Sequence, residues 1–195
     1  LYSLEELTAI SQICRKYELP LYVDGARLAY GLACPENDVS LQDLGTLCDI
    51  FYIGGTKCGA LFGEAVVIPK RGLIPHFFTL IKQQGALLAK GWLLGAQFDV
   101  LFTDGLYLRI GKPAIEAAGR IRDALKELNI PLRFGSPTNQ IFFAVDEKQR
   151  AFLREKVDSS FWEACGGGHT ILRFATSWAT SPEDTDALIQ VLQAL

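Results

Sequence analysis

The 195-residue chain contains no methionine, not even at position 1, and only two histidines, His76 and His169. A natural reading frame opens on methionine, so either residues have been removed from the front or the sequence is a piece of something longer. A basic stripe is also lacking. Nineteen Lys and Arg stand against 22 Asp and Glu, interspersed, for a formal charge of −3; this argues against a nucleic-acid partner. No apolar run reaches the roughly 18 residues that span a bilayer, and the most apolar stretch, 85–102, is interrupted by Lys90, Gln97 and Asp99. A membrane partner is therefore not expected. No signal-peptide pattern opens the chain, which starts instead with Leu1-Tyr2-Ser3-Leu4-Glu5-Glu6, already the beginning of a helix. Cysteine pairs at metal or redox spacing are missing as well. Cys14, Cys34, Cys48, Cys58 and Cys165 are odd in number and dispersed, as expected for reduced thiols in a cytoplasmic protein and not for a disulfide frame or a zinc site. There is no internal repeat and no low-complexity segment.

What is present is a globular composition, 49% hydrophobic, enough for a substantial core. Ser3 and Glu6 form a capping box ahead of a helix over 3–17, whose apolar residues Leu4, Leu7, Ile10, Ile13 and Cys14 recur at helical spacing. Leu19-Pro20 ends it, and Leu21-Tyr22-Val23 reads as a short buried strand leading to Asp24. A turn at 25–27, a helix from Leu28 and a weak helix or turn at 40–47 follow. Strands come next at 49–53 and 65–68. Helix, strand, crossover and strand form an α/β pattern with a mainly parallel sheet. From Pro75 the character changes. Residues 77–102 read as one long apolar helix, and 106–129 as an amphipathic helix with Pro113 at a possible kink. The remainder reads as strand 140–145, helix 147–156, strand 157–162, a loop at Gly166-Gly167-Gly168, strand 170–175, and a last helix with Ser181 as N-cap and Pro182 at its first position. The expected organisation is a large-domain portion at 1–75, an interdomain helix at 76–105 and a smaller α+β domain at 106–195.

The chemistry-bearing residues cluster at strand ends. Tyr52-Ile53-Gly54-Gly55-Thr56-Lys57-Cys58-Gly59-Ala60 delivers one lysine among small residues after an apolar strand, a pattern that suits a buried amine meeting a flat cofactor. Asp24 stands at the carboxyl end of an earlier strand. Ligands of open α/β sheets bind at that edge, and pyridoxal phosphate needs both a lysine for its covalent attachment and an acid beside its pyridinium nitrogen. The plainer readings are a solvated lysine and an aspartate capping the next helix.

Val23-Asp24-Gly25-Ala26-Arg27-Leu28, Tyr52-Ile53-Gly54-Gly55-Thr56-Lys57 and Leu172-Arg173-Phe174-Ala175-Thr176-Ser177-Trp178, in that order, resemble the threonine aldolase and β-eliminating lyase family of fold type I pyridoxal-phosphate enzymes. The resemblance implies the carboxyl-terminal part of a fold type I large domain followed by a small α+β domain. It makes Lys57 the cofactor-linking lysine and Asp24 the partner of the pyridinium nitrogen. Arg27 would reach the cofactor 3′-oxygen or the substrate carboxylate, and Arg173 would grip the carboxylate in a bidentate fork. Thr56 is a candidate for a cofactor hydrogen bond or, equally, for a hydroxyl satisfying backbone. The plainer readings are a helix-surface arginine for Arg27 and a cross-strand ion pair for Arg173. Ala179 stands where relatives often carry an acid.

The resemblance implies a lyase cleaving the Cα–Cβ bond of a β-hydroxy-α-amino acid to glycine and an aldehyde. The alternatives are a β-eliminating lyase on another amino acid and a non-catalytic fragment. A homo-oligomer, dimer or tetramer, is expected. In the family, more chain ahead of the DGAR strand supplies the phosphate-binding turn and a side chain stacked on the ring. Nothing before Asp24 can supply either here, so a carboxyl-terminal portion of a longer protein is expected; a split enzyme and a degenerate remnant are the other readings. His76, His169 and Cys58 read as structural. Trp92, Trp162 and Trp178 read as core or interface, with Trp178 a candidate border of the substrate. The glycine triplet, with no strand before it and no helix directly after it, does not read as a phosphate loop.

Overall fold

The computed structural model describes residues 1–195. Ser3 accepts from the Glu6 N–H while the Glu6 carboxylate accepts from the Ser3 N–H, and this box opens α1 (Leu4–Lys16). A second box, Ser40 with Asp43, opens α3 (Leu41–Leu47), so the segment read as a weak helix is a complete one. The Ser11 hydroxyl on α1 donates to the Leu47 carbonyl at 2.7 Å and ties the two helices together. Between them lie β1 (Tyr22–Val23) and α2 (Leu28–Ala33); β2 (Ile50–Ile53) and β3 (Ala65–Val67) follow.

These strands form one sheet in the order β1-β2-β3. β1 and β2 are parallel, Tyr22 opposite Ile50 and Val23 opposite Phe51, whereas β3 runs antiparallel to β2. The reason is the connection. A parallel return needs a crossover of a dozen or more residues, usually helical, and residues 54–64 contain no helix. β1 is not the buried strand expected, because it lies at the sheet edge with Tyr22 56% exposed.

The apolar stretch 77–102 is not one helix. It divides into α4 (Phe77–Gln83) and α5 (Trp92–Phe102). Gly85 closes α4 with a left-handed φ of +68°, a backbone geometry a continuing helix excludes. The expected interdomain helix is thus two helices. A 3-10 turn at Thr103–Gly105 leads to α6 (Leu106–Arg109), separate from α7 (Lys112–Glu127), and Pro113 sits at the start of α7 and does not kink it. By contacts, Tyr2–Leu32 and Asn37–Ile110 form one compact unit. Gly111–Leu195 with Ala33–Glu36 and Leu1 forms the other.

The second unit is an antiparallel sheet of β4 (Gln140–Val145), β6 (His169–Ala175) and β5 (Ser160–Cys165), in that order, with α7, α8 (Glu147–Lys156) and α9 (Pro182–Leu192). Ile141, Phe143, Val145, Leu172 and Phe174 pack with Ile121, Leu125, Leu153 and Leu192 into one core. β5 begins three residues later than expected. Cys165 pairs with His169, so a strand does precede the glycine triplet, and Gly167 and Gly168, both at positive φ, make the hairpin turn. Of the three tryptophans none is core: Trp92 is 67% exposed, Trp162 and Trp178 each 46%. The five cysteines form no disulfide. No helix is long and apolar enough to cross a membrane.

Candidate functional site

In the first unit, the ends of β1 and β2 are pressed together. The Gly54 N–H donates to the Gly25 carbonyl at 2.9 Å. A Cβ on Gly25 would stand 1.8 Å from the Tyr52 carbonyl oxygen, and one on Gly54 would stand 2.4 Å from that of Ala26. Only glycine permits this approach, which brings the residues after β1 beside those after β2.

Asp24 follows β1 directly. Its Oδ1 accepts the Tyr52 hydroxyl at 2.5 Å and the Ala26 N–H at 3.0 Å, and no protein donor reaches Oδ2. The aspartate thus organises the turn at Ala26 and does not cap α2. Its pKa is lowered, first by the Tyr52 hydrogen bond and then by the Ala26 N–H, with smaller contributions from the Lys57 and Arg27 charges. Tyr52 is pushed up to about 12, chiefly by its bond to Asp24.

Lys57 lies in the turn after β2 and is exposed, not the buried amine expected. Ile53 is the last strand residue, Gly54 and Gly55 are still buried, and only Thr56 and Lys57 are exposed before Cys58 returns to the interior. The backbone there is firmly held. Buried Tyr30 on α2 donates its hydroxyl to the Lys57 carbonyl. Fully buried Tyr107 on α6 donates to the Gly54 carbonyl at 2.9 Å. The Glu64 carboxylate takes the Gly55 N–H, and Gln97 on α5 accepts from Leu61 and Phe62 while donating to the Phe62 carbonyl. The loop backbone is held by these bonds, while the lysine side chain is exposed. Tyr30, Tyr107, Glu64 and Gln97 are the residues that sequence reasoning missed. Thr56 donates to the Gly63 carbonyl at 3.4 Å. Cys58 is fully buried, and burial raises its thiol pKa.

In the second unit, Arg173 lies mid-strand on β6. Its guanidinium donates to Gln140 Oε1 on β4 and Ser160 Oγ on β5, both at 3.2 Å, and stacks over Trp162 at 5.7 Å. The cross-strand pairing is therefore with neutral groups and not with an acid, and the buried Nε has no partner. Arg173 also borders a cavity of about 450 Å³ lined by Ile121, Ser160, Phe174 and Thr185. None of the chain's ion pairs involves Lys57, Arg27 or Arg173. Asp24, Arg27, Thr56 and Lys57 belong to the first unit and Arg173 to the second. His76 sits at the start of α4 with φ +56°, and His169 is engaged with the Gly167 carbonyl in the hairpin.

The β-eliminating lyase family model matches residues 1–170. The low specificity L-threonine aldolase of Pseudomonas sp. is 31% identical over 183 residues, covering 92% of this chain and 51% of that protein. Among solved structures, the Leishmania major threonine aldolase superposes with a TM-score of 0.95 at 41% identity, covering 99% of this chain and 56% of that one. Sphingomonas wittichii serine palmitoyltransferase superposes at 0.67 with 15% identity, covering 96% of this chain and 50% of that one, a likeness of fold alone. The chain spans about half the length of the curated relatives it matches.

Proposed function

The chain belongs to the β-eliminating lyase family, with a fold of the type I pyridoxal-phosphate enzymes, and from that premise we propose that it forms part of an enzyme cleaving the Cα–Cβ bond of a β-hydroxy-α-amino acid to glycine and an aldehyde. Lyases of this family use pyridoxal phosphate. The cofactor, when bound, supplies an electron sink for the pair released as a bond at the substrate α-carbon breaks.

The observation that carries the reading is Asp24. One carboxylate oxygen is committed to two protein donors and the other accepts none, at the end of a strand beside the Lys57 turn. An ionised acid with one bare oxygen suits a protonated ring nitrogen, so the residues present fit the group. Lys57, whose ammonium makes no ion pair, would supply the amine that holds the cofactor. Arg27 offers a second cation for the 3′-oxygen or a carboxylate, and Thr56 a hydroxyl. Arg173 binds the substrate carboxylate. Neutral Gln140 and Ser160 orient its guanidinium without neutralising it, which leaves its charge for a substrate anion. Release of a β-substituent is the second reading, consistent with the same family; product analysis with a β-hydroxy amino acid separates the two.

The test of cofactor attachment is direct. Pyridoxal phosphate is added, the mixture reduced with borohydride and digested, and the pyridoxylated peptide sequenced. The expected adduct is on Lys57; modification elsewhere, or none, sinks the reading for this chain. A homo-oligomer is part of the proposal, with the exposed apolar residues Phe78, Trp92 and Val100 of α4 and α5 covered by a second copy, and a monomer by light scattering counts against it. A cytoplasmic location is proposed from the five dispersed cysteines that form no disulfide.

A further inference from the structure

Tyr52 lies within the lysine motif but has no assigned role. We propose that Tyr52 is a positioning residue for Asp24: its phenol holds one carboxylate oxygen against the sheet so that the other is presented, anionic, to the cofactor's ring nitrogen. The cofactor half of this statement rests on the function proposed above; the geometry is the chain's own.

Register creates the contact. In the parallel pair, Tyr22 stands opposite Ile50 and Val23 opposite Phe51, so Asp24, one step beyond, is brought beside Tyr52. Side chains alternate along a strand. Tyr22, Asp24 and Tyr52 therefore share one face, opposite the buried Phe51 and Ile53. Tyr22 and Tyr52 flank one another with ring centroids 6.3 Å apart. The 2.5 Å separation between Tyr52 Oη and Asp24 Oδ1 is that of a charge-assisted O–H···O⁻ bond. The Ala26 N–H binds the same oxygen, and two donors on one oxygen restrain the carboxylate's rotation. An exposed aspartate without them would turn freely in water. The proton stays on the phenol because a phenol is ordinarily a far weaker acid than a carboxyl, and the bond shifts Asp24 further down and Tyr52 further up. A merely structural tyrosine would act through its ring; here the hydroxyl is the working group.

Tyr52→Phe keeps the ring and removes the hydroxyl. In the full chain with ¹³C-labelled aspartate carboxyls, Asp24 (assigned by Asp24→Asn) titrates below the ordinary aspartate range, and in Tyr52→Phe its titration moves upward. The dissociation constant for added pyridoxal phosphate, read by absorbance, rises roughly tenfold in the variant, the effect of losing one hydrogen bond to a charged group. Tyr22→Phe, which leaves both donors in place, matches the parent in both measurements. An unchanged Asp24 titration in Tyr52→Phe overturns the proposal, and so does a shifted titration with cofactor affinity within about twofold of the parent, since a tenfold change is what the bond predicts. A parent chain that takes up no cofactor sinks the functional reading alone, and the carboxyl titration still decides the role of Tyr52.

Discussion

At Asp24 two donors meet on one oxygen, and removing the carboxylate weakens cofactor affinity while leaving the covalent attachment point in place. In Asp24→Ala the Lys57 amine is untouched, so borohydride still traps the adduct there. Turnover in the active protein falls by roughly a hundredfold or more, the usual scale for deleting a group that stabilises developing charge; unchanged turnover removes Asp24 from its role. Arg173 makes a different prediction. Its fork is planar and held between Gln140 and Ser160, and lysine, a point charge on a flexible stem, cannot reproduce that geometry. Arg173→Lys is expected to lower kcat/KM about tenfold or more, with urea stability little changed, since both hydrogen bonds lost are long, at 3.2 Å, and one is open to solvent. An unchanged kcat/KM for the amino-acid substrate would place the carboxylate contact elsewhere.

The elements differ in how much of them could be read in advance. Capping boxes are local, so the starts of α1 and α9 are legible at Ser3-Glu6 and Ser181-Asp184. Asp24, Lys57 and Arg173 stand out as candidates because each lies within a short contiguous motif. What fails depends on distant or non-local contacts. The apolar run over 77–102 records composition and not continuity, and the left-handed Gly85 divides it. Lys57 reads as buried because small neighbours are visible in sequence, whereas the exposure of the turn at 56–57 between buried Gly55 and Cys58 is not. Tyr30 and Tyr107 stand 27 and 53 residues from the carbonyls they bind, and no periodicity connects such pairs. Trp162, not Trp178, lies over Arg173 for the same reason. The missed tyrosines carry a prediction for the loop. Tyr107→Phe strips the donor from the Gly54 carbonyl at a site with no solvent access to Tyr107. An unsatisfied buried carbonyl costs about 1–3 kcal/mol, to be read as a lower urea midpoint; an unaltered midpoint would mean water replaces the phenol.

At the scale of the molecule, the groups shielded from solvent set how stability responds to alkali. Burial pushes the Cys34 thiol from 9.0 to about 11 and also raises Cys48 and Cys58, while burial first raises the Tyr107 phenol. For an acid whose folded pKa lies above its unfolded one, the unfolded chain loses its proton first as pH rises. The unfolded state then binds fewer protons than the folded state, and stability falls with pH. Little change is expected from these groups up to about pH 8, where thiols in both states are protonated. Above pH 9 the chain should lose stability progressively until the folded thiols ionise too, near pH 11 for Cys34. Cys34 belongs to the second unit and Cys48, Cys58 and Tyr107 to the first, so both units share this response. The measurement is the urea midpoint at intervals from pH 7 to 10.5, alongside alkylation of the native chain. Half-buried Cys14 and Cys165 should react with a thiol reagent before Cys34, Cys48 and Cys58 do. A midpoint that stays level to pH 10.5, with all five cysteines alkylated at one rate, would show that the folded chain does not shield these thiols.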